Sequence, residues 1–301
     1  MTQAIFMSKA IVLLNMGAAR SAGELKQFLF NMFLDKRIIA SPIRYFLAPF
    51  IAQTRYKKVW QKYEWIGGSR LYQITENLAD KLQDQLGIDV IYAMRYTKPN
   101  LQEVIQGYDD IILLPLYPQY STTTVQSSLD VLKKIKFIGQ ISIVKPFYDT
   151  ASFNRLIAEK IKNEIANPQD KHLIFTAHGL PQKIVTQGDP YPNQIETKIS
   201  LLKNILPSFK SVSLAYQSRF GNQAWLQPYL DDVLPQYENE KVVIYPLSFM
   251  IDNSETDLEL QIEYAEKAKI CGIDQYEVVS CPNDTPQTIN FLANLLKTYG
   301  A

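Results

Sequence analysis

The sequence contains two histidines, and only one of them stands where an imidazole could do chemistry. His178 follows the apolar run 173–177 and precedes Gly-Leu-Pro, so we expect it on a tight turn at the carboxyl end of a strand. An imidazole exposed there can accept a proton or bind a metal near neutral pH. The alternative is an ordinary loop histidine that bonds a neighbouring carbonyl group. His172, which precedes the same run, fits that alternative.

A second candidate is a row of glutamates spaced four residues apart: Glu255, Glu259 and Glu263. Asn253 or Ser254 could cap a helix that begins here, and residues four apart lie on one face of an α-helix. Three carboxylates in such a row repel one another unless water, protons or a cation offset their charge. Their oxygen atoms suit a divalent cation on its way inward. The alternative is a solvated acidic helix face.

The segment 28–52 is too apolar and aromatic for a solvated loop, yet Asp35, Lys36, Arg37 and Arg44 interrupt it. Amphipathic segments of this kind form lips over apolar ligands or rest on membrane surfaces. The alternative is two ordinary core helices. The segment alone does not decide between these interpretations.

The composition excludes several classes of protein. Lysine and arginine (31) balance aspartate and glutamate (30), so we expect no nucleic-acid partner. Cys271 and Cys281 have no second cysteine pair or nearby histidine, which indicates reduced structural thiols. No phosphate-binding glycine loop or serine nucleophile elbow is present. Without a signal-peptide pattern or an apolar run of roughly 20 residues, we expect a cytoplasmic protein.

Short apolar runs rich in β-branched residues recur along the chain and alternate with longer helical patterns. They lie at 10–14, 90–93, 111–114, 141–144, 173–176, 212–215, 242–245 and 276–279. Fully apolar strands that alternate with helices indicate a parallel sheet covered on both faces. The predicted fold class is therefore α/β, with doubly wound, Rossmann-like sheets.

Two halves of the sequence resemble each other. The matching pairs are KAIVLLNMG with KHLIFTAHG, VIYAMRYTKPNLQEV with VSLAYQSRFGNQAWL, and DIILLPLYPQYS with KVVIYPLSFMID. We infer an internal duplication with domains at 1–150 and 151–301. The first would carry the segment 28–52, and the second would carry His178 and the helix of Glu255, with the last helix packing back on the first half. Ligands of such sheets bind beyond the carboxyl ends of the strands, where His178 is expected.

Five blocks of the sequence resemble the ferrochelatase family. They are AMRY (93–96), LYPQYSTTT (116–124), TAHGLP with GDPY (176–181 and 188–191), YQSR (216–219) with Trp225, and ETDLELQIEY (255–264). The resemblance runs from about residue 10 to about residue 264, in the family's order. It implies a chelatase-like fold and a bacterial-type protoporphyrin ferrochelatase, a lyase that inserts Fe(II) into the porphyrin at the last step of haem biosynthesis, with release of two protons.

The resemblance also assigns roles to residues. It places His178 and Glu255 at the reaction centre, facing each other across the porphyrin. The residues implied as metal ligands are His178, Glu255, Glu259 and Glu263. The residues implied to line the porphyrin cleft are Asn15, Met16, Arg95, Tyr117, Ser121 and Trp225, and the segment 28–52 would be the apolar lip of that cleft.

Departures from the family pattern refine these expectations. LNMGAA stands where the family has LNxGGP, IGGSRL where it has IGGGSPL, and Asn253-Ser254 where many members have His-Ile. The last change leaves a single imidazole at the site. Met16 stands where the branch acting on coproporphyrin has tyrosine, which favours protoporphyrin IX.

Competing functions remain open at this point. A coproporphyrin ferrochelatase is one, and a sirohydrochlorin cobaltochelatase is another, although the latter would use paired histidines. A carrier of porphyrin or haem is the non-enzymatic alternative. We expect no permanently bound cofactor, with Fe(II) as substrate, and no iron–sulfur cluster, because no cysteine-rich tail follows Leu296. Peripheral contact of the segment 28–52 with the inner membrane stays open, and no oligomeric state is predicted.

Overall fold

The computed structural model describes residues 8–301, and within this range each strand runs parallel to its neighbours. Residues 1–7, part of the stretch expected to lack a signal peptide, lie outside the described residues. The chain divides into two units. The first holds the described residues up to Tyr117, Thr122–Pro146 and Asp284–Ala301, and the second holds Pro118–Ser121 and Phe147–Asn283.

The first unit contains a four-stranded sheet. Its strands are β1 (Lys9–Asn15), β2 (Asp89–Met94), β3 (Asp110–Pro115) and β4 (Gln140–Ile143), in the order β2-β1-β3-β4. Its α-helices are α1 (Ala22–Leu34), α2 (Arg44–Trp65), α3 (Leu71–Leu86), α4 (Leu101–Val104), α5 (Ser127–Leu129) and the C-terminal α11 (Pro286–Lys297). A π-helix at Thr122–Gln126 and a 3₁₀ turn at Leu132–Lys134 complete it.

The central strand β1 is the core of the first unit, since its residues 10–14 are at most 3% exposed. Such burial on both faces explains why the run is apolar without alternation. On one side α3 covers the sheet and ends at Gly87, whose φ of 69° is left-handed and favours glycine. α11 joins the same unit through Lys81, which pairs with Asp284 at 2.5 Å, and through Gln85, which bonds Asn290 at 3.0 Å.

The second unit contains a second four-stranded sheet. Its strands are β5 (His172–His178), β6 (Ser211–Gln217), β7 (Lys241–Pro246) and β8 (Gln275–Val278), in the order β6-β5-β7-β8. Its α-helices are α6 (Ala151–Glu164), α7 (Gln182–Thr186), α8 (Tyr191–Lys203), α9 (Leu230–Val233) and α10 (Tyr264–Ile270). A π-helix occupies Glu255–Glu263, and 3₁₀ turns lie at Pro168–Asp170 and Leu234–Tyr237.

β5 is the central strand of the second unit and is buried on both faces. Ile174 packs with Val242, Ile244 and Leu260 on one face. The neighbouring Phe175 points to the other face and meets the ring of Tyr245 edge-on, with centroids 6.0 Å apart. Because β6 and β7 both pair with β5 in parallel, the carboxyl ends of the three strands lie at one edge of the sheet.

The predicted α/β class and the two halves are confirmed. All eight predicted strands are present, with ends that differ by one to two residues, and both sheets have the same strand order relative to their central strand. His172 was expected to precede its strand. It is instead the first residue of β5. No helix among residues 8–301 combines the length and apolarity needed to cross a membrane.

The segment 28–52 consists of the end of α1, a turn and the start of α2. Phe28, Leu29 and Phe33 are buried against Ala48 and Ala52 in one cluster, as in ordinary core helices. The opposite surface of α2 is different, because its aromatic side chains are exposed: Tyr45 60%, Phe46 79% and Phe50 65%. The segment therefore has one face typical of a core and one typical of a contact surface.

Candidate functional site

His178 ends strand β5, with its imidazole about one-third exposed. Its Nδ1 lies 2.7 Å from the carbonyl oxygen of Gly179. A carbonyl oxygen only accepts, so Nδ1 carries the hydrogen, and in the neutral ring Nε2 carries the lone pair. The main-chain N–H of His178 donates to Ser248 Oγ (3.2 Å), which fixes the strand end. The ring is thus oriented with a basic nitrogen directed away from its own backbone.

Trp225 forms the wall beside the histidine turn. Leu226 N–H donates to the carbonyl of Leu180 and Gln182 N–H donates to that of Ala224, both at 2.9 Å, so the two segments run as a short antiparallel bridge. Gly179 permits this close approach, since a Cβ would lie 3.1 Å from Gln217 O and 3.3 Å from Trp225 Cε3. The indole of Trp225 is therefore held against the backbone next to His178.

Glu255 begins the π-helix that follows β7, and its Oε1 lies 3.5 Å from His178 Nε2. Asn253 caps this helix start, since its Oδ1 accepts the N–H of Glu255 at 2.8 Å. Ser254 makes no capping hydrogen bond with its side chain. Of the two predicted caps, Asn253 is the one that acts.

The short distance between His178 and Glu255 corrects one expectation. A flat ring placed between two groups keeps each at a contact distance of about 3.5 Å or more, so they must be roughly 7 Å apart. The pair is separated by half of that distance. The prediction that the two side chains face each other across a porphyrin is therefore wrong, because the ends of β5 and β7 lie at the same edge of one sheet.

Glu259 is next in the row, and Ser218 holds its carboxylate. Its Oε1 accepts the Ser218 N–H (3.0 Å), and its Oε2 accepts the Ser218 hydroxyl and the Gln217 amide, the latter at 3.4 Å. Burial, and then the charge of Glu255, raise the pKa of Glu259 to about 7. Glu255 Oε2 is buried and has no hydrogen-bond partner within residues 8–301.

The helix that carries the three glutamates is not the α-helix that the spacing predicted. Its hydrogen bonds span five residues, as between the Tyr264 N–H and the carbonyl of Glu259. π-Helices are rare and are found frequently at functional sites. The widened turn shifts Glu259 and Glu263 away from the strict alignment expected of residues four apart. Glu263, at the end of this helix, is partly buried.

Within 8–301, no group of three or more His, Cys, Asp and Glu side chains has the arrangement of a metal site. His178 and Glu255 form a pair with free ligand atoms, while Glu259 is occupied by Ser218. The pair offers one nitrogen and one carboxylate to a shared cation.

The predicted porphyrin residues of the first unit lie together at the carboxyl edge of its sheet. Arg95 N–H donates to the carbonyl of Asn15 (2.8 Å), and Tyr96 N–H donates to that of Met16 (3.0 Å). Arg95 is paired with Asp35 at 2.6 Å, a partner that sequence reasoning did not identify. Tyr117 follows β3, and burial raises the pKa of its hydroxyl, while a hydrogen bond with Ser128 partly offsets this.

Ser121, the remaining predicted porphyrin residue, belongs to the second unit. Its hydroxyl donates to Asp189 Oδ2 (3.0 Å), and its side chain is buried. Asp189 also accepts the N–H of Tyr191 at 3.1 Å and so organises the start of α8. The turn formed by the GDPY block, residues 188–191, therefore holds Ser121 in place.

Three residues that support the site were not predicted: Ser218, Tyr191 and Ser248. Burial raises the pKa of Tyr191, and the Ser248 hydroxyl, beside it, opposes this effect. Glu255 adds its negative charge nearby, so the Tyr191 hydroxyl stays protonated. Ser218 and Tyr191 belong to the YQSR and GDPY blocks, and position in those blocks was the available signal.

The family model described as Ferrochelatase matches residues 8–299. A curated protein named Ferrochelatase from Campylobacter concisus is 43% identical over 95% of this chain and 96% of its own length. Proteins of the same name from Sulfurimonas denitrificans and Aquifex aeolicus are 40% and 36% identical, over 95% and 97% of this chain and 98% and 99% of their own lengths.

Solved structures share the fold at low sequence identity. SirB from Bacillus subtilis with Fe3+ is similar with a TM-score of 0.62 and 12% identity, covering 98% of this chain and 96% of that one. CbiX, titled the terminal enzyme of sirohaem biosynthesis in denitrifying bacteria, has a TM-score of 0.56 and 12% identity, covering 97% and 98%. These two likenesses concern the fold alone. The family match over nearly the whole described chain, together with relatives above 30% identity, establishes that this chain belongs to the ferrochelatase family.

Proposed function

We propose that this protein inserts Fe(II) into protoporphyrin IX to form protohaem and two protons, as the last step of haem biosynthesis. Family membership supports the metal insertion. The observation that carries the mechanism is the pair formed by His178 Nε2 and Glu255 Oε1, 3.5 Å apart, next to an unpartnered buried Glu255 Oε2. The two groups together offer a basic nitrogen and a carboxylate to one small space.

The spacing of the pair suits one shared cation. Two ligands of a tetrahedral divalent ion with bonds of about 2.1 Å lie about 3.4 Å apart. The observed 3.5 Å agrees with this edge. In our proposal Fe(II) is held by Nε2 of His178 and a carboxylate oxygen of Glu255 as it approaches the macrocycle. Only two protein ligands hold it, so the pyrrole nitrogens can replace them.

The same pair accounts for the two protons. Fe(II) replaces two pyrrole hydrogens, so each metallation releases two protons. As the pyrrole nitrogens take the ion, Nε2 and the Glu255 carboxylate are freed as bases. Glu259 lies beside them as a buried carboxyl that can take a proton near neutral pH, because its pKa is raised to about 7. We propose that Glu259 passes protons on, with Glu263 one helical turn farther along.

The macrocycle requires an apolar contact surface and partners for its carboxylates. In the second unit, Trp225 lies beside the turn after His178 and would contact the ring. Ser121, which Asp189 holds, is the other contact that we propose from this unit. In the first unit, Met16 packs with the cluster of α1 and α2, and Arg95 would bond a carboxylate. We infer that the exposed aromatic face of α2, with Tyr45, Phe46 and Phe50, receives the apolar substrate, and it is the surface where a membrane would be touched.

An anaerobic absorbance assay tests the function directly. Purified protein is mixed with Fe(II) and protoporphyrin IX, and multiple turnovers to haem are expected. Coproporphyrin III and sirohydrochlorin with Co(II) serve as the competing substrates. Faster turnover of either would transfer the assignment to that reaction. Stoichiometric binding without turnover would indicate a carrier.

A further inference from the structure

Asp35 carries a buried carboxylate for which the metal-insertion chemistry has no use. Its side chain is 4% exposed and lies at the end of α1. The donors to its oxygens are Arg95 Nη2 (2.6 Å), the Tyr96 hydroxyl (3.0 Å), the Ser127 hydroxyl and the Arg37 N–H (2.8 Å). All of these residues belong to the first unit. A carboxylate with four donors is a built network rather than an incidental surface pair.

The network joins three elements of the first unit. Asp35 ends α1 and begins the turn toward α2, while Arg95 and Tyr96 directly follow β2. Ser127 opens α5 and accepts Arg95 Nε with both its hydroxyl and its carbonyl oxygen, each at 2.9 Å. The segment 28–52 is thereby tied to the carboxyl edge of the sheet through one side chain.

The geometry also sets the direction of the Arg95 guanidinium. Its Nε and Nη2 are used by Ser127 and Asp35, while Nη1 makes no hydrogen bond to any residue the structure describes. The side chain is 22% exposed, so this free nitrogen can reach a ligand. An arginine fixed on two sides loses little rotamer freedom when it binds a carboxylate with the third.

We propose that Asp35 is a positioning residue for porphyrin binding: it orients Arg95 toward a porphyrin carboxylate and fixes the segment 28–52 at the same time. This inference rests on the proposed function. Removing one partner of a buried ion pair leaves the other charge uncompensated. Without the Asp35 charge, Arg95 turns toward solvent and the end of α1 loses its attachment, so the porphyrin is bound less tightly. Iron delivery through the second unit is unaffected.

The test compares Asp35→Asn with the wild type in steady-state haem formation. We expect the KM for protoporphyrin to rise about tenfold, equivalent to about 1.4 kcal/mol, while the KM for Fe(II) and the kcat at saturating porphyrin change less than twofold. Asp35→Glu keeps the charge and should recover part of the affinity. Asp110→Asn is the matched control, because it breaks another ion pair of the first unit, with Lys9 at 3.2 Å, at the start of β3.

A double-mutant cycle with Arg95→Gln separates positioning from general stability. Because Asp35 acts largely through Arg95, Asp35→Asn should raise the porphyrin KM clearly less in the Arg95→Gln background than in the wild type, since only its attachment of the segment 28–52 is then left to lose. An equal rise in both backgrounds would overturn the proposal, as would an unchanged KM in a folded Asp35→Asn variant. A lower KM would show that Asp35 competes with the substrate for Arg95, which also overturns it.

Two further measurements keep the outcome decisive. If Asp35→Asn does not fold, Ser127→Ala takes its place, because it removes one donor to Asp35 and keeps the ion pair with Arg95. A smaller rise in the porphyrin KM, about threefold, is then expected. An unchanged KM would refute the proposal. Fluorescence titration of protoporphyrin without iron measures binding alone. Wild-type protein that binds porphyrin but forms no haem would refute the proposed function, while the Asp35 effect on this binding would still be measured.

Discussion

Ser218 holds the carboxylate of Glu259 from two directions. Its N–H donates to Oε1 over 3.0 Å and its hydroxyl donates to Oε2. To do so, Ser218 adopts a φ of 64°, a left-handed conformation that costs a non-glycine residue about 1 kcal/mol or more. The end of β6 is thus bent to fix one carboxyl group beside Glu255. The strain is located at the site where we propose that protons are transferred.

The raised pKa of Glu259 predicts how stability depends on pH. Its folded pKa of about 7 exceeds the usual value of 4.5, so the folded state keeps a proton that the unfolded state has lost. Stability from this group is complete below about pH 4.5 and is lost as the pH rises through about 7, by about 3 kcal/mol. Glu259→Gln cannot lose a proton and should remove this decline. Urea unfolding at pH 5 and pH 8 measures it.

The control for this experiment is Glu266→Gln, which removes an exposed carboxylate from the helix that follows. It should show the same decline as the wild type, because exposed charges contribute little. Equal slopes for wild type and Glu259→Gln between pH 5 and pH 8 would contradict the burial argument.

His178→Ala should reduce kcat for haem formation by roughly 10³-fold, since it removes both a base and a proposed iron ligand. His172→Ala is the matched control, because His172 lies at the other end of the same strand, where its Nδ1 bonds Ser211 Oγ at 2.6 Å. That variant should keep wild-type kcat. Thermal unfolding of both variants verifies that the fold persists. Activity of His178→Ala within about tenfold of wild type would exclude the proposed role.

The fold was accessible from sequence because the eight strands are buried on both faces and therefore read as uninterrupted apolar runs. The position of His178 followed from the same pattern, since it directly succeeds such a run. The π-helix was not accessible. The spacing of Glu255, Glu259 and Glu263 fits an α-helix, and the residue types give no sign of the wider turn that the folded helix adopts with Thr256, Asp257, Leu258 and Leu260 buried.

The Asp35 network and the Ser218 conformation were also beyond sequence reasoning. Asp35 and Arg95 are sixty residues apart, and only the fold brings the end of α1 next to the end of β2. Nothing in the residue type of Ser218 signals a positive φ, because serine is not among the residues that favour it. Contacts of this kind depend on tertiary packing, which a pattern of apolar residues does not specify.

The exposed aromatic face of α2 should respond to the substrate. Backbone amides around Tyr45, Phe46 and Phe50 are expected to exchange hydrogen more slowly when protoporphyrin is bound, because the face then gains a packing partner. The side chains of Phe28 and Leu29 are already buried in the cluster of α1 and α2. The amides of this part of α1 should therefore be protected in both states. Hydrogen exchange measured by mass spectrometry distinguishes these segments. Identical protection of α2 with and without porphyrin would exclude this surface as a contact for the macrocycle.

The same face is tested for membrane contact with anionic vesicles of phosphatidylglycerol and phosphatidylcholine. Co-sedimentation that is lost in Phe46→Ser with Phe50→Ser would support contact with a lipid surface. The control is Ile138→Ser, since Ile138 is 92% exposed in the turn before β4. If the wild-type protein does not sediment with the vesicles, this face of α2 does not bind lipid, and its proposed role is limited to substrate uptake.

The glutamate row should matter for turnover and should add nothing to the stability of the fold at pH 8. Glu259 gains its partners at the cost of burial beside Glu255, and carboxylates on neighbouring turns repel each other. Replacing Glu259 and Glu263 together with Gln should therefore leave the free energy of unfolding at pH 8 equal or higher. The same variant should slow haem formation, because the two groups that we propose for proton passage are gone, and a higher KM for Fe(II) would show that they also contact the metal, as the family resemblance implies. Glu255→Gln should slow haem formation more than the double variant, since Oε1 of Glu255 lies 3.5 Å from His178 Nε2.

Steady-state rates across Fe(II) concentrations and pH measure both effects. Full activity of the double variant under all of these conditions would leave the row as an ordinary acidic helix face, with the chemistry confined to His178 and Glu255.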